Sequence, residues 1–281
     1  MKTNYHSHST FCDGRDTAEV FLQEAIRQGF RAYGFSSHSP LPFETFWNMP
    51  AKEMPAYLEE IDRLKKKYSD RIEVYIGLEV DYLDETYNPS IDYFQQLPLD
   101  YRIGSVHFIP LSDVLTEENM VCIDGPYEDY AAAVDKYFDG NIRKFVERYY
   151  QSVYCMVEAG GFDIVGHVDK IYQNGHRYPG FSLDASWYKD PFYACIELIA
   201  RKGLTVEINT KNLMRKQQLF PHIQNLVLLH EKGIPVHVNS DTHFPHLVND
   251  GREEAFALIK AAGFTHTREL LEGKWVDCRL A

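Results

Sequence analysis

The stretch Tyr101-Arg102-Ile103-Gly104-Ser105-Val106-His107 is a short apolar run that stops at a histidine. It is too short for a helix and rich in β-branched and aromatic residues, so it reads as a buried strand. Five further runs have the same form: Ala32–Ser36, Ile72–Gly77, Phe162–Val165, Leu204–Ile208 and Ile234–Val238. Helical patterns lie between them. Leu22, Ala25, Ile26 and Gly29 recur at helical spacing, as do Ile142, Val146, Tyr149, Val153 and Met156 ahead of Gly160-Gly161. Asp190-Pro191 reads as an N-cap with proline at the first helical position, before Phe192, Cys195, Ile196 and Ile199 and a closing Gly203. Strand and helix alternate about seven times, which implies a parallel sheet and an α/β fold. Pro40–Pro50 and Pro110–Pro126 read as long irregular loops of the kind that line active sites.

The other strands end as this one does. Tyr5 leads into His6-Ser7-His8, Phe35-Ser36-Ser37 into His38, and Ile76-Gly77-Leu78 into Glu79. Ile164-Val165-Gly166 leads into His167, and Val238-Asn239-Ser240 into Asp241-Thr242-His243. In a parallel barrel the carboxyl ends of the strands share one face, and that face carries the chemistry. Six histidines and two carboxylates therefore converge on one mouth, with Asp13 in the turn after the first strand as a further donor. On an extended strand, His6 and His8 point the same way, as do Asp241 and His243. Imidazole and carboxylate are ligands for Zn²⁺, Fe²⁺ and Mn²⁺. Nine donors exceed the needs of one ion, so two or three ions are expected, with Glu79 suited to bridging two. A single His-x-His pair more often has no metal; the joint pattern carries the reading.

The 281 residues carry 29 Lys+Arg against 41 Asp+Glu, a formal charge of −12. That excess disfavours nucleic acid and anionic membranes, which are bound through neutralisation of phosphate. The five cysteines are scattered and form no C-x-x-C pair, which argues against a disulfide framework or a cysteine-based zinc site. The N-terminus has no apolar signal region, and no run reaches the length of a membrane span. One domain over residues 1–281 and a cytoplasmic location are expected.

The longer strings are specific. Ser37-His38-Ser39-Pro40-Leu41-Pro42, Gly77-Leu78-Glu79-Val80-Asp81-Tyr82 and Asp100-Tyr101-Arg102-Ile103-Gly104-Ser105-Val106-His107-Phe108-Ile109 resemble the polymerase-and-histidinol-phosphatase (PHP) family, most closely its histidinol-phosphatase branch. The resemblance runs from His6-Ser7-His8-Ser9-Thr10 to Asp241-Thr242-His243 and includes Glu207-Ile208-Asn209-Thr210. It implies a distorted (β/α)7 barrel with three divalent metals: one at His6, His8, Glu79 and Asp241, a second at Glu79, His107 and His167, a third at Asp13, His38 and His243. The chain departs from the family pattern at Asp13, where many relatives have histidine. It departs again at Asn212-Leu213-Met214-Arg215-Lys216, where the branch has a Gly-Leu-Arg-Lys-like string. A third departure is His167-Val168-Asp169-Lys170, since relatives carry their basic residue a little later.

The implied activity is hydrolysis of L-histidinol phosphate to L-histidinol and phosphate, with another phosphomonoester (phosphotyrosine or a nucleotide monophosphate) as the alternative. The expected reaction is in-line attack by a hydroxide bridging the metals, with Glu79, Asp241 and His243 as the catalytic set. A protonated His243 or a metal-bound water would supply the leaving-group proton. Arg215, Lys170 and Arg177 are the candidates for holding phosphoryl oxygens, Arg being the better fit through its bidentate fork. Asp81, Phe108, Tyr82, Glu44, Phe43 and Trp47 are candidates for an acidic, aromatic pocket around the histidinol group. His222, His230, His246 and His266 read as structural or surface residues, and His237 as a hydrogen-bonded core residue.

Overall fold

The computed structural model describes residues 1–280. Strands β1 (Thr3–Asn4), β2 (Ala32–Phe35) and β3 (Glu73–Ile76) form a parallel sheet in the order β1-β2-β3. A second parallel sheet contains β4 (Glu79–Asp81), β5 (Ile103–Ser105), β8 (Ile164–Val165), β9 (Thr205–Asn209) and β10 (Val236–Asn239), in the order β10-β9-β8-β5-β4. Each run singled out in the sequence thus contains a strand. Single parallel bridges link the two sheets, His38 to Glu79 on one side and Ser7 to Thr242 on the other.

The expected strand Ile72–Gly77 stops at Ile76, and the chain resumes strand geometry at Glu79. The Tyr101 ring packs against this point. A Cβ on Gly77 would come within 2.1 Å of Tyr101 Cζ, and one on Gly34 within 2.4 Å of its hydroxyl, so only glycine admits the ring at both positions. The Tyr101 hydroxyl lies 2.5 Å from the carbonyl oxygen of Tyr5, tying the first strand to this point.

Helices cover the outer faces. The helix Ala18–Arg27 begins at Thr17, whose hydroxyl accepts from the Val20 amide. The helix Ile142–Ala159 is capped by Asn141 and ends at Gly160, where φ is +72°. It packs on the helix Ser186–Lys202 through Tyr150, Tyr188 and Phe192. Here one expectation is corrected. Pro191 is not at a helix start but inside this helix, which begins five residues earlier. The proline forfeits one helical hydrogen bond, and the buried Tyr188 and Phe192 on either side keep the turn packed. A second correction concerns Pro110–Pro126, which is not irregular throughout. β7 (Met120–Cys122) lies between them and pairs antiparallel with β6 (Phe108–Pro110).

Apolar packing explains why one end of the strands is open and the other closed. Tyr5, just after β1, and Ala32 and Tyr75 of the first sheet meet Tyr101, just before β5, and Ile103 and Ile164 of the second. Leu270 and Leu271 of a C-terminal hairpin, β11 (His266–Leu271) and β12 (Lys274–Arg279), complete this plug. The polar residues at the carboxyl ends of the strands are left to face one another. Among the described residues, no helix is long and apolar enough to cross a membrane.

Candidate metal centre

All nine expected donors meet at the carboxyl ends of the parallel strands. Glu79 is at the centre, its side chain 1% exposed. One of its oxygens, Oε1, lies 3.0 Å from His167 Nε2 and 3.5 Å from His107 Nε2. The other, Oε2, lies 2.9 Å from His38 Nδ1, 3.1 Å from His6 Nε2 and 3.7 Å from His8 Nε2. The Ser105 hydroxyl donates to Oε1 at 2.7 Å and fixes the carboxylate plane. Asp241 lies beside it, with Oδ1 3.1 Å from His8 Nε2 and 3.7 Å from His6 Nε2. Its φ is +46°, a conformation that costs a non-glycine residue energy and recurs at functional sites. Toward the rim, Asp13 Oδ2 is 3.2 Å from His243 Nε2 and its Oδ1 is 3.8 Å from His38 Nε2.

These donors fit divalent ions. Three overlapping groups have ligand atoms mutually within 4.8 Å: His8, Asp13, His38 and His243; His6, His8 and Asp241; and His38, Glu79 and His107. Two donors each about 2.1 Å from one tetrahedral ion sit about 3.4 Å apart, close to the spacings around Glu79 and Asp241. His6 Nε2, His38 Nδ1 and Glu79 Oε2, close as they are to one another, and Asp13 Oδ1 are buried without a well-aligned hydrogen bond among the described residues. Buried polar atoms are rarely left so unless something else satisfies them.

The outer partners decide which ring nitrogen faces inward. Glu207 Oε1 lies 2.6 Å from His6 Nδ1, and Asp81 Oδ1 lies 2.9 Å from His107 Nδ1. Each carboxylate accepts a hydrogen bond from the Nδ1–H and leaves the Nε2 lone pair for the centre, the usual arrangement behind a metal-bound histidine. Glu207 also accepts the His167 amide, and Asp81 the His107 amide, so each fixes ring and backbone together. Burial works against charge on His6, but Glu207, Glu79 and Asp241 outweigh it and raise the imidazole well above its ordinary value. His107 is likewise carried to about 9 against the cost of burial, by Asp81 and Glu79. His8 goes the other way, lowered by burial and by its neighbours His243 and His38.

Beside the rim lies a cavity of about 260 Å³ lined by Asp13, Arg15, Lys211, Arg215, Asp241 and His243 among others. Arg215 is one of the residues lining this cavity. Lys170 is buried, with Nζ 3.6 Å from Asp124 Oδ2 and over the Phe220 ring. Arg177 is exposed and stacks on Tyr127 at 3.9 Å, outside this cavity. Asp81 is fully buried behind His107, which places it as an orienting group rather than facing open space. Phe108 stacks on Trp47 at 5.3 Å, with Phe43 edge-on, and Trp47 stands 4.6 Å from His38 and 5.5 Å from His107. Tyr82 is buried in the core and Glu44 is exposed. His237 hydrogen-bonds Arg268 and pairs with Glu269 at 3.0 Å, on a strand interior.

Known proteins resemble this chain in sequence and fold. The model of the PHP domain matches residues 4–211. The chain belongs to the PHP family. Among curated PHP-type relatives, the histidinol-phosphatase of Bacillus subtilis is 28% identical over 268 residues, covering 86% of this chain and 94% of its own. A solved Listeria monocytogenes structure superposes with a TM-score of 0.81 at 22% identity, over 90% of this chain and 99% of that one. The Lactococcus lactis histidinol phosphate phosphatase, solved with Zn, L-histidinol and phosphate, gives a TM-score of 0.73 at 22% identity over 98% of each chain. Two groups at the site were given no role from the sequence. Glu207 sits inside a strand, where a carboxylate with no partner in sequence was a signal in itself. Lys211 follows Asn209-Thr210 at a strand end, the same placement that marked the six histidines of the site. Its Nζ lies 3.1 Å from Asp241 Oδ1 and 3.4 Å from His243 Nε2. Burial disfavours its charge, but Asp241, Asp124, Asp13 and Glu79 outweigh that and hold the ammonium above its usual range.

Proposed function

We propose that this PHP protein is a metal-dependent phosphomonoesterase that hydrolyses L-histidinol phosphate to L-histidinol and phosphate. The observation that carries the reading is Glu79, whose two oxygens face two separate imidazole groups beside a cavity lined with arginine. Three cation positions are read from the donors: His6, His8, Glu79 and Asp241; Glu79, His107 and His167; and Asp13, His38 and His243. Divalent ions bound there supply Lewis acidity, which makes water a nucleophile near neutral pH and offsets the charge of a phosphoryl group. Zinc, manganese and iron all suit this mixture of donors.

The protein's own groups do the rest. Glu207 and Asp81 hold His6 and His107 in the tautomer that directs Nε2 to the centre. Arg215 and Arg15 line the cavity and present planar forks to the phosphoryl oxygens, where little covalent chemistry is asked of the protein beyond positioning and charge. Trp47 and Phe108, stacked with Phe43 edge-on behind them, form an aromatic wall beside His38 and His107, which suits the imidazole ring of the leaving alcohol.

We also read the two sheets as one distorted (β/α)7 barrel forming a single domain. With β3 and β4 counted as one interrupted strand there are seven staves, and the bridges at His38–Glu79 and Ser7–Thr242 lie where closure requires them. The free cysteines fit a reducing, cytoplasmic setting. Phosphate release from L-histidinol phosphate, phosphotyrosine and nucleotide monophosphates tests the assignment. Histidinol phosphate should be preferred in kcat/KM by at least tenfold; equal turnover of all three would reject it.

A further inference from the structure

We infer that the three cation positions are unequal, and that Lys211 makes the one between Asp13, His38 and His243 weak and exchangeable. The inference rests on reading these clusters as metal sites, and on no particular substrate.

The His243 ring carries the argument. Its Nδ1 lies 3.1 Å from the backbone oxygen of Asp241, an atom that can only accept, so Nδ1 holds the ring proton. The other nitrogen, Nε2, then has one in-plane lone pair. An ion bound by His243 needs that lone pair. The ammonium of Lys211, which is donor-only, lies 3.4 Å from it. One lone pair cannot serve both, so occupation by a metal and donation from Lys211 exclude each other.

Lys211 is also anchored where it stands. The same Nζ is 3.1 Å from Asp241 Oδ1, and Asp13 Oδ2 lies 3.2 Å from His243 Nε2. A cation placed among these acceptors does for the rim part of what an ion would do. A divalent ion entering there must break the Lys211–His243 contact and face a like charge at short range. Lys211 also reaches Asp241 Oδ1, a donor to one inner position, but a carboxylate keeps further lone pairs for an ion, whereas His243 Nε2 has one. Among the described residues, every ion-pair partner of Glu79 is an imidazole. The Lys211 side chain is 26% exposed beside the rim cavity, so it can swing out, which makes the position exchangeable rather than blocked.

Stepwise zinc occupancy tests this. The whole protein, its Lys211→Met and its Lys211→Arg variants are equilibrated against buffered free Zn²⁺ over several decades, and bound metal per chain is counted by mass spectrometry. Circular dichroism and thermal melting check that each is folded. The wild type should fill two positions first and the third at free zinc at least tenfold higher. Lys211→Met should bring the third step down at least tenfold, and Lys211→Arg should behave as the wild type. A single wild-type step to three ions would overturn the inference, and so would a third step unmoved in Lys211→Met. The wild-type titration alone decides the first point, whether or not the variants fold. A wild type that binds no zinc would sink the metal reading as well, whereas loss of activity toward histidinol phosphate alone would leave this inference standing.

Discussion

Glu79 and Asp13 are both carboxylates set among imidazoles, yet they occupy different surroundings. Glu79 is sealed at the strand ends with a side chain 1% exposed, and its neighbours His6 and His107 are each backed by a buried carboxylate. Asp13 is 25% exposed on a loop, its partner His243 is 12% exposed, and a lysine ammonium stands beside them. The inner half is held by the sheets; the rim half is held by loops and by Lys211. Rigid placement of donors by strands favours permanent ions and chemistry. Placement by loops favours exchange and contact with the arriving phosphoryl group.

Removing the centre of the inner half should cost most. Glu79→Gln keeps the shape and loses the charge that faces both imidazole groups. Turnover should fall by about 10³-fold or more, the scale seen when preorganised charge is removed from an active site, with bound metal reduced in parallel. Next come the outer partners. Asp81→Asn should lower metal affinity or kcat by about 10- to 100-fold through His107 alone; no change in either would mean that the backing carboxylates do not set the inner half apart. At the rim, Arg215→Ala should raise KM by about tenfold, the worth of one charge-assisted hydrogen bond, with kcat less affected.

Protonation should separate the halves more gently. In the metal-free protein His107 is raised to about 9, so at neutral pH its imidazole holds a proton that an ion must displace. Metal affinity at the inner positions should therefore fall as pH drops below about 9. His243 is lowered by burial and by Lys211, so it is neutral at pH 7 and releases no proton to the rim ion. Zinc titration calorimetry in buffers of different ionisation enthalpy reads this directly. Equal proton release in the early and late steps would erase the distinction.

Much of this was legible in the sequence because a parallel sheet turns a one-dimensional pattern into a place. Each run that ends in His, Asp or Glu delivers that residue to the same face, so His6, His8, His38, Glu79, His107, His167, Asp241 and His243 announce themselves. Glu207 and Asp81 gave a weaker signal, since a buried carboxylate declares its role only through the ring it touches. Lys211 escaped because a lysine at a strand end is usually a solvated charge; only its distances to Asp241 and His243 show otherwise. Pro191 misled for a related reason. Proline favours the first helical turn by local energetics, and tertiary packing of Tyr188 and Phe192 overrode that preference. The hairpin of β6 and β7 was hidden in a segment whose prolines and acidic residues read as loop.

The central claim is that Glu79 joins two cation positions. Anomalous X-ray diffraction at the zinc edge, on crystals grown with zinc, tests it most directly. The account predicts two strong peaks flanking the carboxylate, one within about 2.2 Å of Oε1 and one within about 2.2 Å of Oε2, and a weaker third beside His243. A single peak, or none within bonding distance of Glu79, would contradict it.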